Sequence, residues 1–118
     1  MTLKEKVLNH WFKNYNIACA AYYLDDSYIL NDFFNIGAKY CALCKKYNSL
    51  YNNKVSYDDR CLECPIYKKT SQKHCYNTPF DEIRDMMDIL DYYSSLDKED
   101  MQKLLRYIEQ ELYFLDSL

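Results

Sequence analysis

The sequence predicts a mainly α-helical protein in which a cysteine-bearing loop module separates two helical segments. Its 118 residues include one glycine and two prolines, too few for the many sharp turns of an all-β fold. Apolar residues recur at helical spacing near both ends of the chain, and capping residues precede these stretches. We therefore expect one domain over residues 1–118, with N-terminal helices in 1–38, the cysteine module in 39–78 and a C-terminal antiparallel helical hairpin in 79–118.

The first helix is expected to run from about residue 3 to about residue 22. Thr2 and Glu5 have the spacing of a capping box, in which the two side chains bond backbone amides at the helix start. An apolar stripe follows, and it should face the core. Its members are Leu3, Val7, Leu8, Trp11, Phe12, Tyr15, Ala18, Cys19 and Tyr22.

A shorter second helix is expected before the cysteines. Asp25, Asp26 and Ser27 are candidate N-caps, and Gly37 can end the helix in the left-handed conformation. The apolar residues of this helix are Ile29, Leu30, Phe33, Phe34 and Ile36. Residues 41–75 show no sustained period, so this segment is predicted to be a loop.

The C-terminal segment predicts two helices joined by a short connection. Thr78, Pro79 and Asp81 place a hydroxyl, a proline and a carboxylate where a helix start favours them, and Ser95 or Asp97 can cap the last helix. The expected buried residues are Ile83, Met86, Met87 and Leu90 in the first helix, and Met101, Leu104, Leu105, Ile108, Leu112 and Leu115 in the second. A short connection favours an antiparallel hairpin.

Four cysteines have the spacing of a zinc site. Cys41, Cys44, Cys61 and Cys64 form the pattern C-x2-C-x16-C-x2-C. Two intervening residues let both thiolates of a tight turn face one ion, and two such pairs complete a tetrahedron. Four thiolates leave no open position for water or substrate, so the expected Zn²⁺ is structural. The alternatives are an iron–sulfur cluster on the same residues, or a spacing that arises by chance.

Two further residues are candidate ligands of this site, and the sixth cysteine is not. Cys75 is a possible additional ligand and His74 another candidate, because both follow Cys64 closely enough to fold back on it. If Cys75 binds the ion, one of the other four thiols is displaced or stays protonated beside it. Cys19 lies on the apolar face of the first helix and is expected to be a small buried hydrophobic residue.

Charge is distributed unevenly along the chain. Residues 39–75 contain eight Lys and Arg against three Asp and Glu, whereas residues 81–118 contain four against eleven. The acidic side chains Asp81, Glu82, Asp85, Asp88 and Asp91 are expected to form a solvated helix face. One surface of the protein should therefore be basic and another acidic.

The basic residues of the cysteine module have two explanations. Lysines and arginine there would offset the roughly two negative charges of a zinc–tetrathiolate. Interleaved with Tyr51 and Tyr57, they also resemble a surface for phosphates and stacked bases, although the pI near 5.3 argues against nucleic-acid binding. The basic residues are Lys45, Lys46, Arg60, Lys68, Lys69 and Lys73, and the candidate binding residues are Lys45, Lys46, Lys68, Lys69, Tyr47 and Tyr67.

Several functional classes are not indicated. No apolar stretch approaches the roughly 18 residues of a membrane span, and the N-terminal segment lacks a signal-peptide core, so a cytoplasmic location without membrane contact is expected. One glycine excludes a Gly-rich phosphate loop, and nothing local supports Ser-His or Cys-His catalysis. His10, beside Trp11, is expected to make a capping or core contact. We predict no enzymatic activity.

The cysteine module resembles a group of small, cysteine-rich, mostly uncharacterised proteins of tailed bacteriophages. The resemblance covers about residues 10–80 and rests on the strings CALCKKY, CLECPIYKKT and HCYNTPF, with His10 and Trp11 upstream. It implies that Cys75 is grouped with the other four cysteines and that the host cell cytoplasm is the location, but it implies no activity. Ser71 stands where the pattern has glycine, so the turn there is expected to differ.

The function that these features favour is binding to a host or bacterial protein, whose activity the chain would modulate. The chain contains fourteen tyrosines, and tyrosine supplies contact area at low entropic cost. An A/T-rich gene explains the same abundance equally well. A nucleic-acid-binding accessory role of the basic module is the alternative function.

Overall fold

Six helices build the structure, a computed structural model that describes residues 1–37, 40–48, 52–56, 58–72 and 75–118. They are α1 (Leu3–Leu24), α2 (Tyr28–Phe33), α3 (Ala42–Tyr47), α4 (Pro65–Thr70), α5 (Phe80–Tyr93) and α6 (Lys98–Asp116). Within these ranges no strand occurs, which confirms the mainly α prediction. No helix in them has the length and apolar character needed to cross a membrane.

Helices α1 and α6 lie side by side in opposite directions and form the main axis of the protein. Three contacts, one near each end and one near the middle, show that the two helices are antiparallel. They are Lys98 Nζ to Tyr22 O at 2.7 Å, Tyr15 OH to Glu109 Oε1 at 3.0 Å, and Lys4 Nζ to Asp116 Oδ1 at 3.8 Å. Helix α5 packs on α6 across a four-residue connection, and α3 packs on α1. Every helix contributes side chains to one continuous apolar core.

Helix α1 begins as its capping residues predict. The Glu5 backbone amide donates to Thr2 Oγ1 at 3.1 Å, and the helix extends two residues beyond the expected end. Its buried positions are Val7, Trp11, Asn14, Ala18 and Ala21. Phe12 was expected in the stripe but is 52% exposed, because it lies about 100° around the helix from Trp11.

The second helix is shorter than predicted. It ends at Phe33, and Phe34 leaves the helix in an extended conformation. Gly37 has a φ of +107° but lies four residues beyond the helix, so the prediction that it ends α2 was wrong. Ser27 precedes α2 without a capping bond from its side chain, whereas Asp26 Oδ1 accepts a hydrogen bond from the Tyr28 amide.

The cysteine segment is not all loop, contrary to the prediction. Two six-residue helices, α3 and α4, start directly after Cys41 and Cys64. Each is too short to show a helical period in the sequence, and isolated helices of this length are unstable. Both are stabilised by packing, because Leu43 and Ile66 are buried in the common core.

The C-terminal helices carry the predicted caps with small changes. Thr78 Oγ1 accepts from the Phe80 amide at 3.3 Å, so Thr78 serves the start of α5 although the helix begins one residue later than expected. Asp97, and not Ser95, caps α6 by accepting from the Asp100 amide at 2.8 Å. The predicted apolar residues of both helices are buried or half-buried.

Ser71 occupies a position that suits glycine. It ends α4 with a φ of +58°, in the left-handed region, where a side chain costs about 1–2 kcal/mol. Replacing Ser71 with glycine removes this cost and adds about 0.5–1 kcal/mol of backbone entropy to the unfolded chain. We expect Ser71→Gly to raise the free energy of unfolding by about 0.5 kcal/mol, measured by denaturant titration.

Ser117 provides a comparison with an ordinary backbone conformation. Its φ is −79°, which serine adopts freely, and its hydroxyl donates to Phe114 O and accepts from Lys69, so Ser117→Gly should lower the free energy of unfolding. Equal effects of the two substitutions would contradict the assignment of backbone strain to Ser71.

Candidate metal centre

The two cysteine pairs are held together by a backbone contact. The Cys61 amide donates to the carbonyl of Tyr47, the last residue of α3, at 2.8 Å, and the Cys64 amide donates to Cys61 O at 3.0 Å. Cys61 has a φ of +68°, which turns the chain so that Cys64 can start α4. Cys61 and Cys64 are buried, whereas Cys41 and Cys44 are half-buried. The first pair therefore lies at the start of one short helix and the second in the turn that leads into the other.

The two thiols of the first pair influence each other's ionisation. The hydrogen bond from the Cys44 thiol lowers the pKa of Cys41, and the backbone amides of Cys44 and Leu43 lower it further. The same hydrogen bond raises the pKa of Cys44, together with burial and the charge of Cys41. Cys41 is thus the sulfur of this pair that ionises first, and the thiolate is the form that binds metals.

The remaining thiols lie within electrostatic range of this pair. Burial raises the pKa of Cys64, although the amides of Ile66 and Tyr67 oppose the rise, and the charge of Cys41 contributes to it. Burial also raises the pKa of Cys75, and charges on Cys41, Cys64 and Cys61 add to the effect. The five thiols therefore lie within electrostatic range of one another.

This grouping does not amount to a complete metal shell. Across the described ranges, no three Cys, His, Asp or Glu side chains converge closely enough to hold an ion. None of the described cysteines is in a disulfide. His74, Lys73, Tyr51 and Tyr57, named from the sequence, lie outside the described residues. The donor set itself suits zinc, because thiols in a reduced state are its preferred structural ligands.

Cys75 is held next to the first turn of α5. The hydroxyl of Thr78 donates to Cys75 O at 2.7 Å, and Cys75 has a φ of +62°. The threonine that caps α5 therefore also fixes the backbone of the fifth cysteine. Cys19, by contrast, interacts with the hydroxyl of Tyr15 on α1 and is separate from the group.

A cavity of about 280 Å³ lies beside Cys41, Cys44 and Cys75. Its wall also includes Glu111 of α6, which is 3% exposed. Burial, the charge of Cys41 and nearby carboxylates raise the pKa of Glu111 to about 7, while the Phe80 amide opposes the rise. The sequence reading missed Glu111, although the buried positions 101, 104, 108, 111 and 115 follow a regular spacing of three and four residues.

His10 lines the same cavity and makes the core contact that its position suggests. Its Nε2 donates to Asn35 O at 2.9 Å, and its ring stacks on Tyr40 with the centroids 6.3 Å apart. The buried Asn14 also donates to Asn35 O, at 2.9 Å. Burial lowers the pKa of His10, and the charges of Lys13 and Lys45 lower it further. These contacts attach the segment after α2 to α1.

The candidate binding residues fall on two short helices. Lys45 and Lys46 are exposed in the last turn of α3, and Lys68 and Lys69 in the last turn of α4. Lys68 pairs with Glu63 at 3.1 Å, and Lys69 hydrogen-bonds Ser117. The rings of Tyr47 and Tyr67 are half-buried against the core. The two tyrosines therefore offer only part of their faces to a ligand.

No family model, curated protein or solved structure matches this chain.

Proposed function

We propose that this chain is a small, zinc-stabilised, phage-like module that binds a host or bacterial protein and modulates it. The observation that carries the proposal is a group of exposed aromatic and aliphatic side chains at one end of the bundle, where α1 and α5 end and α6 begins. We call this group the tyrosine end. It consists of Tyr23, Leu24, Tyr28, Tyr92 and Tyr93, which are between 64% and 81% exposed.

The side chains of the tyrosine end lie at helix termini that contact one another. Lys98, the first residue of α6, donates to Tyr22 O at 2.7 Å and lies 4.4 Å from the centre of the Tyr22 ring. Tyr92 and Tyr93 contact each other edge to face, with centroids 4.7 Å apart. Exposed aromatic side chains grouped on such a support are typical of protein interfaces, since tyrosine buries a large area without losing much side-chain entropy.

The charges around the tyrosine end indicate the kind of partner. The carboxylates that flank it on α5 and α6 and in the turn after α1 are Asp25, Asp26, Asp88, Asp91, Asp97, Glu99 and Asp100. Lys98, at the start of α6, lies among these carboxylates and already contacts Tyr22. An acidic and aromatic surface complements a segment rich in arginine or lysine, through charge attraction and cation–π contacts. We infer that the partner presents such a segment.

Zinc is the second part of the proposal. Cys41, Cys44, Cys61 and Cys64 would hold the ion, with Cys75 as the possible replacement for one of them. The mutual electrostatic influence of the five thiols and the amides that favour thiolates at Cys41 and Cys64 support this assignment. Bound there, the ion would tie α3 to α4, and the sulfurs would have to draw together on binding.

Nucleic-acid binding is the second candidate function. A shallow depression beside α3 is lined by Lys6, Lys45 and Lys46 together with Tyr40 and Asn52. Three lysines next to an aromatic ring can contact a phosphate backbone and a stacked base. The acidic pI weighs against this function for the chain as a whole.

Capture from a bacterial lysate followed by direct binding of the purified partner tests the main proposal. We expect the wild-type chain to retain the partner, and the triple variant Tyr23→Ser, Tyr92→Ser, Tyr93→Ser to lose it. Tyr113→Ser is the matched control, because Tyr113 is 80% exposed but lies near the opposite end of α6. Binding of the purified partner should weaken as salt rises, since charge complementarity contributes to it.

Two results would contradict the proposal. The first is capture that the triple variant retains as well as the Tyr113 variant does. The second is the absence of any partner above background. Capture that nuclease treatment abolishes, and that the double variant Lys45→Gln, Lys46→Gln also loses, would support the nucleic-acid alternative instead.

A further inference from the structure

The shallow depression beside α3 brings three lysines together on the surface. Lys6 reaches it from the start of α1, and Lys45 and Lys46 reach it from the last turn of α3; all three are exposed. Tyr40 and Asn52 add a ring and an amide to its wall. The Asn52 side chain donates to Lys46 O at 2.7 Å, which ties the chain after α3 to the end of that helix. The volume of about 570 Å³ lies within the range of roughly 300–1,000 Å³ that small-molecule sites occupy.

The positive charge of this depression has no counter-charge in its wall. Among the described residues, no Asp or Glu lines it, and none of its three lysines is in an ion pair. The Lys46 ammonium lies 5.2 Å from the centre of the Tyr47 ring, a contact that positions the charge without cancelling it. Lys45 also influences the ionisation of Cys41 and His10, so part of its charge acts on the cysteine module. Like charges held together repel each other, and an anion bound between them offsets that repulsion.

Other lysines of the described chain bond a carboxylate, a hydroxyl or a backbone oxygen. These are Lys4, Lys68, Lys69, Lys98 and Lys103. Both lysines in the last turn of α4 are among them, so the unpaired positive charge beside α3 does not continue along α4. A nucleic-acid strand favours a basic groove that follows its backbone over several nucleotides. The depression instead offers one compact group of cations, which suits a small polyanion.

An aromatic ring borders these cations. Tyr40 is 37% exposed, and its ring stacks on that of His10 with 8° between the planes and 6.3 Å between the centroids. His10 is itself held by its bond to Asn35 O, so the stack fixes the plane of the Tyr40 ring beside the lysines. Every nucleic-acid base has a flat π-face that can stack on such a ring. A ligand that carries phosphates on a base can therefore contact both parts of the depression.

We propose that this depression binds a nucleoside diphosphate or triphosphate. The phosphates would accept charge-assisted hydrogen bonds from Lys6, Lys45 and Lys46, and the base would stack on Tyr40. The site is distinct from the tyrosine end, because Lys6 lies roughly 25 Å along α1 from Tyr23. Binding of the nucleotide therefore does not require the partner protein.

Adenosine diphosphate (ADP), adenosine and inorganic pyrophosphate separate the contributions of the phosphates and the ring. The full-length chain is titrated with each in magnesium-free buffer, and the amide signals of Tyr40, Lys45 and Lys46 are followed by NMR. We expect saturable shifts with ADP and binding about tenfold weaker, or less, for adenosine, which lacks the phosphates. Pyrophosphate lacks the stacking contact and should also bind about tenfold more weakly than ADP. Tyr40→Leu should lower the affinity for ADP to that for pyrophosphate and leave pyrophosphate binding unchanged.

Two double variants form a matched pair. Lys45→Gln, Lys46→Gln removes two cations from the last turn of α3 and should weaken ADP binding by about tenfold or more. Lys68→Gln, Lys69→Gln removes the same charge from the last turn of α4 and should leave ADP binding unchanged. The triple variant of the tyrosine end should bind ADP as the wild-type chain does, so failure of the partner proposal leaves this result unaffected.

Four outcomes would overturn the proposal. Absence of saturable shifts at these positions would show that the depression binds no nucleotide. Equal weakening by the two double variants would show only a diffuse attraction to the charge of the cysteine module. Equal binding of pyrophosphate and ADP would show that the base makes no contact. Tighter binding of a single-stranded oligothymidylate than of ADP at the same signals would show that a nucleic-acid strand is the ligand.

Discussion

Removal of the proposed zinc ion is expected to lower the melting temperature of the protein sharply. The proposed ligands come from two parts of the chain that have sixteen residues between them, so an ion that joins them would constrain the whole cysteine module. Structural zinc contributes about 10 kcal/mol or more to the folding of small zinc domains, which is as large as the total stability of a typical domain. Elemental analysis and thermal circular dichroism, before and after a strong chelator, measure both quantities on one sample.

Single cysteine substitutions make this prediction specific. Cys61→Ser and Cys64→Ser should lose the metal and the associated stability, whereas Cys19→Ser, on α1 and outside the group, should keep both. Cys75→Ser decides whether the fifth cysteine is a ligand. Because Cys61 and Cys64 are buried, their substitution also has a cost that does not involve metal. Repeating the melts after chelation measures this packing cost by itself, because no metal is then present in any of the proteins.

A melt that is unchanged after demonstrated loss of metal would contradict the prediction. A freshly purified chain with neither zinc nor iron would do so more directly. Iron with inorganic sulfide in place of zinc would support the cluster alternative that the cysteine spacing leaves open.

The helix starts that the sequence predicts correctly depend on local interactions. Thr2 and Asp97 bond amides three residues further along the chain, and Thr78 bonds one two residues along, so their sequence contains both partners. The apolar stripes of α5 and α6 are likewise periodic within a single segment. For these elements the local pattern and the tertiary structure agree.

The features that the sequence does not reveal depend on distant partners. Helices α3 and α4 are stabilised by the burial of Leu43 and Ile66 among residues far along the chain, and no six-residue window contains that information. Asn14 and Glu111 occupy core positions of α1 and α6 although their side chains are polar. Asn14 bonds the backbone of Asn35 and Glu111 lines the cavity, so each is explained only once the fold has placed a second segment beside it.

Replacing Trp11 with alanine is expected to cause the largest loss of stability among single core substitutions. Trp11 is 5% exposed and contacts Phe34 and Phe80 edge to face, with centroids 6.3 and 6.0 Å away. It therefore joins α1 to the segment after α2 and to the start of α5. Substitution of a buried tryptophan by alanine costs about 3–5 kcal/mol, a large part of the total stability of a domain.

Phe12 is the control, since it is the adjacent aromatic residue and the sequence pattern gives the two the same role. At 52% exposure it should lose less than about 1 kcal/mol on substitution by alanine. Denaturant titrations followed by circular dichroism measure both free energies, because Trp11→Ala removes the only tryptophan and its fluorescence. Equal losses would mean that Phe12 is buried in the core like Trp11, and that α1 is rotated relative to α5 from the orientation described. The aromatic wall of the cavity beside Glu111 would then be absent as well.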